Sequence, residues 1–236
     1  MTRSIVVDNR TVLAADRYEC APREDRFDRG RLISEFVGAN RRVLELGCST
    51  GFVSRLLKQN GCHVTGVEYD LHAIEKASRI CDEVVWADLN QPSWGGSLRE
   101  TFDVVLMGDV LEHLLFPEQA LEQAQALLSE GGSIVISLPN IAHWTARAKI
   151  MTGHFDYQKT GLLDYTHVRF FTLRSARALI ENSGYRITRF QAVIGGRLSD
   201  HFRPLWQRAA NLWPTLCGYQ LLFRAEPERQ FSGKAI

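Results

Sequence analysis

The sequence predicts an α/β fold, an open and mostly parallel sheet of seven strands with helices on both faces. Three observations carry this. From position 41 to about 138, strand-sized apolar runs alternate with helix-period patterns, the order that builds a parallel sheet with crossover helices. The runs are apolar on successive positions, as strands covered on both faces must be. Two further strand-like runs, 185–194 and 218–225, follow the last alternation.

The elements follow in order. Residues 27–37 form a helix with Leu32, Ile33, Phe36 and Val37 inward, after a polar and irregular first 20 residues. Strands are expected at 42–46, 63–68, 83–87, 102–107 and 133–138. After the first strand, Phe52, Val53, Leu56 and Leu57 recur at helical spacing and stop at Asn60-Gly61. Ala120, Leu121, Ala124, Leu127 and Leu128 repeat the pattern, with Pro117 near the start and Gly131-Gly132 past the end. A helix at 141–151 is capped by Asn140. A loop covers 152–166 and a helix 173–181. The stretch 195–217 is too long for a hairpin loop, and folds as helix over the sheet edge. Residues 227–236 form a tail.

The chain of 236 residues fits one domain. Within it, 1–40 make an N-terminal lid and helix, 41–140 a ligand-binding core, and 141–172 with 195–217 the acceptor-side elements. No apolar run is long enough to span a membrane, and the charged N-terminus does not resemble a secretory signal. Five cysteines without CxxC spacing exclude a disulfide framework or zinc knuckle and point to the cytoplasm. Residues 1–140 carry a net charge of −7 and residues 141–236 a net of +8. That asymmetry suits an anionic small molecule. The basic residues do not form runs, so no nucleic-acid partner is expected.

The chemistry concentrates at strand ends. The first strand runs into Glu45-Leu46-Gly47-Cys48-Ser49-Thr50-Gly51 and a helix. Gly47 and Gly51 permit tight backbone geometry and close ligand approach. The second strand ends in Glu68, which can accept hydrogen bonds from ribose hydroxyls, and Asp88 after the third can accept from an adenine amine. A dinucleotide fingerprint would need Gly-x-Gly-x-x-Gly, which this loop lacks.

This series resembles the class I S-adenosylmethionine-dependent methyltransferases, with Ser49 where the family's acidic-x-Gly-x-Gly-x-Gly pattern has its middle glycine. The resemblance implies a Rossmann-like, doubly wound sheet with its last strand antiparallel. It implies S-adenosylmethionine as cofactor, with S-adenosylhomocysteine as product. Glu45 would hold the methionine ammonium, and Gly47, Cys48, Ser49 and Gly51 would line the cofactor's path. Glu68 and Tyr69 would serve the ribose end, Asp88 and Leu89 the adenine. Gly108 and Asp109 would sit beside the sulfonium.

A hydroxyl acceptor needs a base. His113 follows the fourth strand and His143 the fifth. The string Leu162-Leu163-Asp164-Tyr165-Thr166-His167-Val168-Arg169-Phe170-Phe171-Thr172 resembles methyltransferases of glycan pathways. It offers His167 as base with Asp164 to orient it, and Arg169 to bind an acceptor carboxylate or phosphate. Tyr165 and Trp144 would contact the acceptor. Asp109-Val110-Leu111-Glu112-His113 resembles an acidic-x-x-Glu-His set that in some relatives binds a divalent metal with a further histidine; the resemblance implies Asp109, Glu112 and His113, with His143 or His167, as candidate ligands for Mg, Mn or Zn. The reading adopted is that Glu112 and His113 open a helix and that no metal is expected. The function expected is methylation of a hydroxyl on a sugar, nucleotide sugar or other polar intermediate, by a chain able to form a homodimer. The alternatives are a quinone-type or natural-product O- or N-methyltransferase, and a catalytically silent cofactor-binding accessory protein.

Overall fold

A computed structural model describes residues 29–96, 98–195 and 202–228. The expected irregular start, most of the expected tail and part of the 195–217 insert lie outside the described residues. In chain order the elements are α1 (Arg29–Val37), β1 (Arg42–Leu46), α2 (Phe52–Gln59), β2 (His63–Glu68), α3 (Leu71–Ala77), β3 (Glu83–Trp86) and β4 (Phe102–Gly108). A 3-10 turn (Leu111–His113) leads to α4 (Pro117–Ala126), β5 (Leu128–Pro139), α5 (Trp144–Met151) and α6 (Leu173–Asn182). The chain then forms β6 (Tyr185–Val193), α7 (Arg203–Leu212), α8 (Pro214–Cys217) and β7 (Gln220–Pro227).

The strands form one sheet in the order β3-β2-β1-β4-β5-β7-β6. The first five are parallel, and β7 runs antiparallel to both β5 and β6. Chain order reverses between β1 and β4, and the crevice at that switch point is where open α/β sheets bind ligands.

Two cores sandwich the sheet. Leu44, Leu46, Val105, Met107, Ile134 and Ile136 pack with Leu121 and Ala124 of α4 and Ala176 and Ile180 of α6. Val43, Val64, Val104, Leu106 and Val135 pack with Ile33 and Phe36 of α1 and Leu57 of α2. Side chains alternate across a strand, so Glu45 shares the second face with Val43 and reaches α2.

The helix after β5 starts later than its periodicity indicates, and its cap is not Asn140. His143 is the N-cap, its Nδ1 accepting from the Thr145 N–H at 3.3 Å. Asn140 is fully buried instead. Its Nδ2 donates to the Gly218 carbonyl at 2.7 Å and the Thr215 carbonyl at 3.0 Å, while its Oδ1 accepts from Ala142 N at 3.0 Å. Those carbonyls reach it only through tertiary folding, and they tie α8 to the end of β5.

Candidate active site

A cleft of about 530 Å³ opens at the carboxyl ends of β1, β2 and β4, within the size range of small-molecule sites. It is lined by Glu45, Gly47, Cys48, Ser49, Glu68, Tyr69, Asp88, Leu89, Gly108 and Asp109. Gly51 does not line it; at φ 83° it turns the loop into α2.

The loop is built by backbone geometry. Gly47 sits at φ 64° and its N–H donates to the Val67 carbonyl at 2.8 Å. A Cβ there would come within 2.8 Å of Val110 Cγ2, so a side chain would displace Val110 from the cleft wall. Ser49 adopts φ 48°, the left-handed conformation a glycine would take freely. Glu68 holds it there: its Oε2 accepts from Ser49 N at 2.9 Å, and its Oε1 from Tyr69 N at 2.8 Å and Asp70 N at 3.0 Å. One carboxylate thus joins the β1 loop to the β2 turn. Beneath the loop, Glu45 is buried and accepts from Ser54 Oγ at 2.5 Å. Burial pushes its carboxyl up to about 8, against the Ser54 hydrogen bond, which lowers it.

At the far end of the cleft, Asp109 takes φ 58°. Its N–H donates to the Ser137 carbonyl at 3.0 Å. Its Oδ1 accepts from Ser137 Oγ at 2.7 Å and from Gln220 Nε2, and its Oδ2 pairs with the Arg29 guanidinium. His113 also lines the cleft, and its Nδ1 meets the Thr166 carbonyl at 3.1 Å. Behind it lie Glu112, 1 % exposed, and His167, whose ring centroid is 4.9 Å from that of His113. Glu112, His113 and His167 could together hold a metal ion.

The remaining named residues lie outside the cleft lining. His143 contacts Tyr219 edge-on, and burial holds its imidazole down to about 4, neutral at physiological pH. Asp164 Oδ1 accepts from Thr166 N at 2.9 Å and Thr166 Oγ1 at 2.7 Å, shaping its own turn. Arg169 donates to the Leu115 carbonyl at 2.6 Å. Trp144 and Tyr165 are about half exposed. Sequence reasoning missed Arg29, Asn90 and Thr166 as lining residues. Asn90 Oδ1 accepts from Leu115 N at 2.9 Å, while its N–H donates to Asp88 at 2.9 Å. Only an acidic residue two positions before an asparagine, the signature of an Asx turn, hinted at that role.

The donor set fits a nucleoside with a cationic amino-acid tail: the carboxyl groups of Glu45, Glu68 and Asp88 are spread along the lining, and loop glycine leaves backbone open to a ligand. A doubly wound sheet of this order with acid residues at successive strand ends defines an S-adenosylmethionine-dependent class I methyltransferase. The chain belongs to the methyltransferase domain family, whose profile matches residues 15–189. A ubiquinone biosynthesis O-methyltransferase of Aeromonas salmonicida (strain A449) is 23% identical over 171 residues, covering 69% of this chain and 70% of that one. Among solved structures, an S-adenosylmethionine-dependent methyltransferase from Thermotoga maritima, described as a possible histamine N-methyltransferase, superposes with a TM-score of 0.58. It is 18% identical, covering 83% of this chain and 86% of that one. An N-methyltransferase from Bradyrhizobium japonicum WM9, crystallised with S-adenosylhomocysteine, gives a TM-score of 0.56 at 19% identity, covering 86% of this chain and 89% of that one. Among the described residues, no helix is long and apolar enough to cross a membrane.

Proposed function

We propose that the chain methylates a hydroxyl on a ring-bearing, amphiphilic biosynthetic intermediate of the quinone type. The observation that carries this reading is the character of the acceptor-side elements. α5 and the segment after it expose Trp144, Ile150, Met151, Phe155 and Tyr157, and the α7–α8 segment exposes Leu205, Leu212 and Trp213. Apolar side chains left in water in such numbers suit an acceptor with an apolar portion. The similarity to ubiquinone biosynthesis O-methyltransferases points the same way.

S-adenosylmethionine, when bound, supplies a methyl group on a sulfonium, already activated for in-line displacement. The protein's work is then to bind, orient and manage one proton. Glu45 holds the methionine ammonium, and Gly47, Cys48 and Ser49 offer backbone along the tail. Glu68 accepts from the ribose hydroxyls, with Tyr69 beside it, and Asp88 and Leu89 take the adenine. Gly108 and Asp109 border the reacting end. Asp109, fixed by Ser137, Gln220 and Arg29, keeps that border rigid.

The acceptor's proton leaves toward the Glu112–His113–His167 cluster, and His113 is the member that lines the cleft. His113→Asn is expected to cut kcat by about 10²–10⁴-fold while S-adenosylhomocysteine affinity holds. Turnover on a catechol or hydroquinone with an apolar tail, followed by mass spectrometry, tests the reading. Methylation confined to sugars or nucleotide sugars would favour the polar-acceptor reading instead, for which the 162–172 string speaks. Cofactor binding without turnover on either class would leave an accessory role.

A further inference from the structure

We infer that Glu112, His113 and His167 form a binding site for one divalent transition-metal ion at the acceptor end of the cleft. The three side chains come from two segments joined by backbone. The Glu112 carbonyl accepts from Val168 N at 2.9 Å and Arg169 N at 3.0 Å, which docks the loop carrying His167 onto the turn carrying Glu112 and His113. One ligand atom from each residue then lies within 4.8 Å of the others. That is close to the span of about 4 Å between donors facing each other across an ion with bonds near 2 Å.

The second observation is what these atoms lack. Both Glu112 oxygens and His167 Nδ1 are buried with no hydrogen-bond partner. Unpartnered buried polar atoms cost about 1–3 kcal/mol each, and these belong to two of the three side chains that cluster here.

His113 is already oriented. A carbonyl can only accept, so the Thr166 contact fixes the proton on His113 Nδ1 and leaves Nε2 with its lone pair. Metal-binding histidines are held in this way by their other ring nitrogen. Asp109 is engaged by Ser137, Gln220 and Arg29 and does not complete the set. Three protein ligands leave positions open for a substrate oxygen. Two imidazoles with one carboxylate select zinc, manganese, iron or cobalt over magnesium or calcium. The site replaces the expectation that Glu112 and His113 merely open a helix. Its role rests on the O-methylation reading: an ion there lowers the proton affinity of the acceptor hydroxyl, and with His113 Nε2 bound to the ion the released proton passes to solvent rather than to that imidazole.

Chelator-treated full-length protein titrated with Co²⁺, read by visible absorption, and with Zn²⁺ and Mn²⁺, read by calorimetry, tests the site without turnover. One ion per chain is expected, with Mg²⁺ much weaker. Glu112→Gln and His167→Ala should each weaken binding by about 100-fold or more. Both variants should keep wild-type affinity for S-adenosylhomocysteine, and Glu112→Gln should unfold no earlier than the metal-free wild type. Absence of stoichiometric binding by Co²⁺, Zn²⁺ and Mn²⁺, or binding unaffected by both substitutions, overturns the site. Failure of the cofactor reading would show separately, as lost S-adenosylhomocysteine binding in the wild type.

Discussion

Glu68→Ala is expected to abolish measurable S-adenosylhomocysteine binding while the sheet stays folded. Glu68 does two things at once. Its two oxygens accept from the backbone of Ser49, Tyr69 and Asp70, holding the β1 loop against the β2 turn. The same carboxylate is the group proposed to receive the ribose hydroxyls. Truncation removes both, and Ser49 loses the bond that keeps it at φ 48°. Hydrogen bonds to a charged acceptor contribute about 1.5–3 kcal/mol each, so the combined loss should exceed about 100-fold in Kd. Glu68→Gln should also fail, because an amide NH₂ would face backbone donors. Titration calorimetry with S-adenosylhomocysteine checks this, with circular dichroism as the folding control. An affinity within about threefold of wild type would remove Glu68 from the cofactor site.

Glu45→Gln should change stability and binding in opposite directions. The folded carboxyl titrates near 8, well above its ordinary value, because it is buried. Between about pH 4.5 and 8 the unfolded chain releases this proton and the folded chain keeps it. The unfolded state therefore gains about 1.4 kcal/mol per pH unit relative to the folded one, and stability falls across that window. Above 8 the penalty is complete. A glutamine keeps the acceptor for Ser54 and carries no proton to lose, so the variant's advantage in unliganded stability should grow from pH 5 to 8 and then level off. Binding runs the other way. An ammonium beside Glu45 favours the carboxylate, so ligand binding near pH 7 should release a proton in the wild type and none in Glu45→Gln. Calorimetry in buffers of differing ionisation enthalpy counts that proton, and urea unfolding at pH 5, 7 and 8 reads the stability difference. An equal proton count in both proteins would separate Glu45 from the ammonium.

Much of this architecture was legible because burial on both faces leaves a strong mark. β1 and β2 run between the residues expected, since Val43, Leu44, Leu46, Val64 and Val67 cannot be solvent-facing anywhere in this order. β5 extends back to Leu128, beyond its apolar run, because Leu128 pairs with Phe102 ahead of a register shift. Periodicity has no signal for such a pairing. The helix α3 was not singled out at all: it buries only Ala73 and Ala77, and its Asp70 cap is its main local cue.

The cleft lining at the ends of β1, β2 and β3 followed from local features, acids and glycines placed at strand ends. The surroundings of Asp109 did not. Arg29, Ser137 and Gln220 converge on Asp109 from α1, β5 and β7, and no spacing along the chain announces that meeting. Asp164, read in the sequence as the carboxylate that orients His167, accepts from the Thr166 N–H and hydroxyl, and Arg169, read as an acceptor-binding group, donates to the Leu115 carbonyl. Charged residues in an irregular segment often satisfy nearby backbone, and only coordinates separate that use from chemistry.

The most direct test is a crystal structure of the protein grown with S-adenosylhomocysteine. The ribose hydroxyls should rest on Glu68, the adenine by Asp88 and Leu89, and the sulfur at Gly108–Asp109, turned toward His113. A ligand bound in the opposite sense, with its adenine against His113, or one seated away from the β1 loop, would contradict the assignment.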